Sequence, residues 1–206
     1  MTPKVLSPEA WKVVRRLVTG GHLESWTLAG GTGLALQLGH RYSEDLDFFR
    51  TETFETEPLI ERLSEIGPLA IQSRSSVTLH AVLEGLRISF LGMQAPLVCA
   101  TTVYRGLMLA DPRDIAVMKL VAIGGRGSRK DFVDLFFFLQ DGGSLESTLE
   151  LARRRFQKVD YNEYHLLKSL VYFEDAEAEP MPRMLRDASW PAIKKTIIAE
   201  VQRLSV

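Results

Sequence analysis

A pair of aspartates, Asp45 and Asp47, follows a pair of glycines, Gly30 and Gly31, and the short stretch between them leaves the chain few ways to fold. The segment from Thr27 to Phe49, TLAGGTGLALQLGHRYSEDLDFF, reads as strand, glycine turn, short helix, loop and strand. Leu28 and Ala29 end an apolar run. Gly30 and Gly31 then permit positive φ and let backbone N–H groups approach a ligand closely. Leu34, Ala35 and Leu38 fall on one face of a helix that Gly39 can cap. The chain returns through His40, Arg41, Tyr42 and Ser43. Side chains alternate across a strand, so Leu46 and Phe48 face a core while Asp45 and Asp47 share the opposite face.

Two carboxylates at that spacing repel each other unless a cation lies between them. A divalent ion answers this, since Mg²⁺ (or Mn²⁺) favours one or two carboxylates plus substrate phosphates. Such an ion would orient a nucleoside triphosphate and offset charge on the leaving group. The glycine turn, with its N–H groups opening a helix, suits phosphate oxygens. Taken singly, each feature has a plainer reading: a solvated face on an edge strand, and an ordinary strand-to-helix turn.

Together they carry a resemblance. Gly30-Gly31, the thirteen residues from Thr32 to Glu44, and Asp45-Leu46-Asp47 look like the signature of polymerase-β-like nucleotidyltransferases. The flanking LAGGTGLALQLGHRYSEDLDFF, with Arg41 and Ser43 before the aspartates, resembles the AbiEii/AbiGii-type toxin family of that fold. A later stretch, DIAVMKLVAIGGRGSRKDFVDLFFFL, resembles the family's second block, and the tail SLVYFEDAEAEPMP is similar to short bacterial members. The resemblance spans most of the chain. It implies metal ligands at Asp45 and Asp47 and a nucleotide held at Gly30, Gly31, Thr32, Arg41, Ser43 and Arg126. It also implies catalytic roles for Lys119, near the triphosphate, and for Asp131, which would act as a base or orient one. Asp134, one turn on, would orient a basic side chain.

Composition bounds the rest. With 206 residues, 46% hydrophobic and 25% charged, the chain is long enough for one full domain or two small ones sharing a core. The net charge of -1 asks for no nucleic acid in bulk, so an RNA contact would need a local basic patch. The single cysteine, Cys99, excludes an internal disulfide framework and suits a reducing cytoplasm. No Cys/His spacing suggests zinc. No apolar run is long enough to span a bilayer, and no leader-like segment opens the chain.

Along the chain, Ser7-Pro8-Glu9 starts a helix carrying Trp11, Val14, Leu17 and Val18, which Gly20-Gly21 ends, with His22 in the loop beyond. Pro58 to Ile66 predicts a helix. Val77 to Leu83 and Leu86 to Leu91 predict strands joined at Glu84-Gly85, with Thr78, His80 and Val82 facing away from the core. Val103 to Leu109 reads as one further extended segment. Ser89 stands where the fold's third carboxylate would align, and Glu84 is a poor substitute at a turn. From Asp111 the pattern turns helical. Asp111-Pro112-Arg113-Asp114 and Ser128-Arg129-Lys130-Asp131 both resemble capping boxes. The helix through Ile115, Met118, Leu120 and Ile123 is expected to end at Gly124-Gly125. Lys119, inside that apolar run, needs an anion or must snorkel. A helix follows from Asp131 to Gln140. Ser144 caps another, whose Arg153, Arg154 and Arg155 read as a solvated face. After Asp160 comes a helix through Leu166 to Leu170. An acidic loop runs from Glu174 to Glu179, and a final helix begins at Ser189-Trp190-Pro191.

The fold expected is α+β. A nucleotidyltransferase-like mixed-sheet domain over 1–110 precedes a helical bundle over 111–206, with a cleft between them. The activity expected is metal-dependent transfer of a nucleotide from a nucleoside triphosphate to a hydroxyl. By resemblance the acceptor is a tRNA 3′ end, in a toxin matched by a separately encoded antitoxin. The alternatives are a degenerate nucleotide-binding or protein-interaction module, motivated by Ser89, and kinase-like phosphoryl transfer.

Overall fold

In the computed structural model, which describes residues 1–157 and 162–204, local sequence signals set most element starts. Ser7 accepts a hydrogen bond from the Ala10 N–H at 3.1 Å, and Pro8 presets φ at the first position of α1 (Pro8–Thr19). Then come β1 (Thr27–Leu28), α2 (Gly30–Leu38), β2 (Asp45–Arg50), α3 (Thr56–Ser64), β3 (Leu69–Ser75), β4 (Thr78–Leu83), β5 (Leu86–Gly92), β6 (Thr102–Tyr104) and β7 (Leu107–Leu109). The strands make one seven-stranded mixed sheet in the order β3-β4-β5-β2-β1-β7-β6. β2 lies in its middle, antiparallel to β1 and parallel to β5. The expected α+β class therefore holds.

The sheet's pleat sorts its residues. Leu46 and Phe48 of β2, Ile88 and Phe90 of β5, and Leu79, Ala81 and Leu83 of β4 are buried in one cluster with Val13, Val14 and Leu17 of α1 and Leu59 and Leu63 of α3. Burial of this size is the main stabilising term of the sheet. Asp45, Asp47, Ser89 and His80 alternate with these core residues and take the other face.

The second half is helical: α4 (Pro112–Arg126), α5 (Arg129–Gln140), α6 (Leu145–Arg155), α7 (Glu163–Leu170), α8 (Glu174–Glu177) and α9 (Trp190–Arg203). Leu120 and Ile123 of α4, Phe132 and Leu135 of α5, Leu149 of α6, Leu166 and Leu170 of α7, and Ile193 and Ile197 of α9 share a separate core. A small third cluster, Ala29, Leu34, Ala110 and Ile115, joins α2 to α4.

Several expectations are corrected. Val103–Leu109 is a hairpin, because Arg105 and Gly106 take positive φ (52° and 81°) and turn the chain; the Arg105 guanidinium rests over the Trp11 and Tyr104 rings. β3 escaped the sequence reading because its edge position leaves it without an alternating apolar pattern. α4 runs through Gly124-Gly125 and is capped instead by Gly127 at φ 56°. Gly124 is small to admit α7: a Cβ there would lie 2.6 Å from Leu166 Cδ2. The helix after 130 begins earlier, at Arg129, and Ser128 makes no side-chain cap. In place of a local box, Glu179 accepts from the Arg129 N–H at 2.9 Å and from Ser128 Oγ at 2.7 Å. Asp111 caps α4, but Asp114 turns away to accept from the Val98 and Cys99 N–H groups. Arg155 is no solvated side chain; it is buried 3.6 Å from Asp114. Asn162 caps α7; the expected start near Asp160 lies outside the described residues.

Candidate active site

The helix α2 starts at the glycine pair itself. Gly30 has φ 59°, and a Cβ there would meet Asp47 Oδ2 at 2.8 Å. Conformation and space both demand glycine at this point. The first intrahelical bond on this turn runs from the Gly33 N–H to the Ala29 carbonyl. The N–H groups of residues 30–32 precede it, and that end of a helix is suited to an anion. Thr32 is buried: its hydroxyl donates to the Asp45 carbonyl and lies 2.6 Å from Ser43 Oγ. Thr32 and Ser43 thus tie α2 to the start of β2, and their hydroxyls are spent on the protein.

A cleft of about 540 Å³ opens beside this turn. Gly30, Gly31, Asp45, Asp47, His80 and Arg87 line its sheet side, Lys119, Arg126, Lys130 and Asp131 its helical side, and Met181, Pro182 and Arg183 its rim. Six of its lining residues are cationic and four are acidic, so the cleft is locally basic although the chain as a whole is not. The rim segment is strapped down by backbone bonds: the Tyr42 N–H donates to the Arg183 carbonyl at 2.8 Å, and the Leu185 N–H to the His40 carbonyl at 2.9 Å. The Arg183 guanidinium sits over the Tyr42 ring at 4.7 Å.

Beneath the cleft lies a buried ion network. Arg41 binds Asp134 through two nitrogens, at 2.6 and 2.9 Å, and donates a third to the Tyr42 carbonyl. His40 Nε2 is 2.7 Å from Asp134 Oδ1. Lys119 Nζ bridges Asp131 at 2.7 Å and Asp134 at 2.6 Å. Arg126 reaches the other Asp131 oxygen at 3.0 Å. Asp131 and Asp134 are both fully buried. Burial would push the Asp134 carboxyl up, but Arg41, Lys119 and the bonds from Arg41 and His40 outweigh it and hold it well below the usual carboxylate range. Burial would likewise lower Lys119, and Asp134 with Asp131 reverses this, keeping the ammonium protonated beyond its ordinary value.

This placement alters the reading of two residues. Arg41 is a strut under the glycine turn, with a Cβ on Gly31 falling 2.1 Å from its Nη2, and not a free phosphate clamp. Asp131, claimed by Lys119 and Arg126, orients cations; it presents no free carboxylate to a hydroxyl. The cleft cations with exposed side chains are Arg126, Arg87, Lys130 and Arg183. Arg87, Lys130, Arg183 and His80 were missed as site residues. The one signal for Arg87 and His80 was strand alternation, which puts them on the face of Ser89.

Asp45 and Asp47 both line the cleft, with Arg87 bonded to Asp45 and Lys130 3.9 Å from it. β2 pairs with β5 so that Asp47 is opposite Ser89. Ser89 thus presents a hydroxyl beside Asp47, and among the described residues no three His, Cys, Asp or Glu side chains converge as a metal cage. Two carboxylates fit one Mg²⁺ or Mn²⁺ that draws its remaining oxygens from phosphate and water.

A family model described as "Nucleotidyl transferase AbiEii toxin, Type IV TA system" matches residues 12–83, which include the glycine pair and both aspartates. An uncharacterized protein of Aquifex aeolicus is 34% identical over 179 residues, 84% of this chain and 86% of its own. Among solved structures, JHP933 from Helicobacter pylori superposes with a TM-score of 0.52 at 19% identity, covering 97% of this chain and 96% of that one. MenT4, a nucleotidyltransferase toxin of Mycobacterium tuberculosis, superposes with a TM-score of 0.53 at 14% identity, covering 97% and 86%. These structural likenesses establish the fold. Among the described residues, no helix is long and apolar enough to cross a membrane.

Proposed function

The chain belongs to the AbiEii nucleotidyl transferase family, and from that premise we propose that it transfers a nucleotide from a nucleoside triphosphate to a hydroxyl acceptor in the cleft between sheet and helices. The observation that carries this reading is convergence: the glycine-pair helix start, Asp45 and Asp47, and the cations Arg126 and Lys130 all line one cleft. The triphosphate lies along the α2 N-terminus, where backbone N–H groups and the helix dipole favour its charge. Arg126 and Lys130 contact its phosphates. Lys119 contributes a fixed positive charge from below, and Asp131 and Asp134 set its position. Asp45 and Asp47 would hold a Mg²⁺ or Mn²⁺, whose charge would offset that developing on the leaving phosphates. The acceptor oxygen attacks the α-phosphorus in line and pyrophosphate departs. Positioning and electrostatics supply most of the acceleration.

The locally basic cleft, with Tyr42 and Arg183 stacked at its rim, supports an RNA end as acceptor, and we take a tRNA 3′ end as the working substrate. Membership of the family supports a growth-arresting role countered by a separately encoded antitoxin. Both points are tested together. Purified protein is incubated with α- and γ-labelled nucleoside triphosphates, Mg²⁺ and total tRNA, and the gene is induced in a bacterial host. The expected outcome is α-label on RNA and growth arrest, both lost in Asp45→Ala. Label from the γ position alone would mean phosphoryl transfer. Arg126→Ala should lower kcat/KM about 10²-fold, the scale seen when one preorganised donor to developing negative charge is removed.

A second reading has its own observation. Ser89 opposite Asp47, and Arg87 bonded to Asp45, suit a module that binds nucleotide without turnover. Metal-dependent nucleotide binding by calorimetry, with no label transferred under any condition, would establish it.

A further inference from the structure

The reaction needs a group to take the proton from the attacking hydroxyl, and the aspartates in and beneath the cleft are committed elsewhere, while Glu44 is an exposed carboxylate 3.7 Å from Arg87. Asp131 is held by Lys119 and Arg126, and Asp134 by Arg41, Lys119 and His40. Asp45 and Asp47 are the metal ligands of the reading above.

One row across the sheet offers another candidate. Asp47 pairs with Ser89, and Ser89 pairs with His80, so the three share a face on β2, β5 and β4. His80 lines the cleft. Its Nδ1 is 2.9 Å from Ser89 Oγ. With the hydroxyl accepting from Nδ1–H, Nε2 carries the lone pair, and no hydrogen bond among the described residues claims it. Two strand spacings, about 9–10 Å, separate the backbones of Asp47 and His80, which leaves room for an acceptor hydroxyl between them. The Ser89 hydroxyl fixes one nitrogen of an imidazole that lines the cleft.

We propose that His80, oriented by Ser89, is the general base of the transfer; this rests on the nucleotidyl-transfer reading. The acceptor O–H proton passes to His80 Nε2 as the oxygen forms its bond to the α-phosphorus. The bond from that phosphorus to the bridging oxygen breaks, and its electron pair leaves with pyrophosphate. The imidazolium then returns its proton to water.

The test compares wild type, His80→Ala, His80→Gln, Ser89→Ala and Asp45→Ala for α-label transfer to tRNA, with and without added imidazole, beside nucleotide binding by calorimetry. His80→Ala should lower kcat about 100-fold, within the usual range for loss of a general base, with nucleotide affinity unchanged. Imidazole should restore part of that activity, and none in Asp45→Ala. His80→Gln keeps a hydrogen-bonding side chain beside Ser89 and should fold as wild type yet be as slow as His80→Ala. Ser89→Ala should fall between wild type and His80→Ala. An active wild type whose His80→Ala has a near-normal kcat, or a fall in kcat that imidazole leaves untouched, overturns the proposal. A wild type that transfers no label under any condition overturns the transfer reading itself, and the role of His80 with it.

Discussion

At Gly31 a single hydrogen in place of a methyl decides whether the site can be built. A Cβ there would lie 2.1 Å from Arg41 Nη2 and 3.4 Å from Asp134 Oδ2. Both belong to a buried ion pair, and breaking such a pair costs about 3–5 kcal/mol, because the charge left behind has neither water nor partner. Gly31→Ala should therefore lower the urea midpoint by a large fraction of total stability and weaken nucleotide binding as well. Gly125 provides the contrast. It lies inside α4, where a Cβ would meet nothing within 4 Å. Gly125→Ala should raise stability by about 0.5–1 kcal/mol through helix propensity and leave nucleotide affinity unchanged. If the two variants shifted the midpoint alike, the steric account of Gly31 would be wrong. In the sequence the two glycines look equally like turn punctuation; only their neighbours in space distinguish them.

Among the elements, α5 is the one that most controls the site, since Lys130, Asp131 and Asp134 all lie on its first two turns. Its start is secured from about fifty residues away in sequence, by Glu179 on the Arg129 N–H and Ser128 Oγ. Arg129 returns the contact by donating to the Ala176 carbonyl. Glu179→Ala should cost about 1 kcal/mol, the usual value of a helix cap, and raise hydrogen exchange at residues 129–132. Glu179→Gln, which retains an acceptor, should recover most of it. The local pattern at Ser128 pointed to a self-contained capping box. Tertiary structure overrode it because a carboxylate from the acidic segment takes both donors. That segment, read as an acidic loop, is helical over α8 and is in this respect a clamp. Helix existence was otherwise legible from caps and apolar spacing. β3 was not, because its exposed edge position imposes no apolar pattern, and the division of β6 from β7 was not, because three-residue strands are too short to display alternation.

For the molecule as a whole, the buried network joins its two halves. Arg41 and His40 come from the sheet portion, Lys119, Asp131 and Asp134 from the helices. The folded pKa of Asp134 is depressed below its ordinary 3.8, so its contribution is present above that value and is lost as pH falls through the folded one. Lys119 is raised above its ordinary 10.5, so its share is present below 10.5 and is lost only as pH rises through the higher folded value. Urea midpoints should hold across neutral pH and fall below about pH 4, with an acid limb that is shallower in Asp134→Asn. We also expect that a fragment of residues 1–110 would not fold alone. It would expose Leu34 and Ala29 of the joint cluster and strip Arg41 of the Asp134 carboxylate that holds it under the glycine turn. A cooperative unfolding transition in that fragment would show the two portions to be independent.

Taken over the whole molecule, sequence alone determined the sheet-then-helices order and the facing of Asp45 and Asp47. It also determined the glycine turn and the need of Lys119 for an anion. These follow from strand alternation, helix periodicity and the cost of burying a charge, all of which act over a few residues. Which groups are free to act was decided only by the tertiary structure. Arg41 and Asp131 carry the right chemistry, yet Arg41 is taken up by Asp134 from the other half of the chain and Asp131 by Lys119 and Arg126 of the preceding helix. Arg87, Lys130 and His80 look unremarkable in the chain but line the cleft. Burial and pairing across the fold set the charge each side chain keeps, and no local pattern encodes which partners will meet.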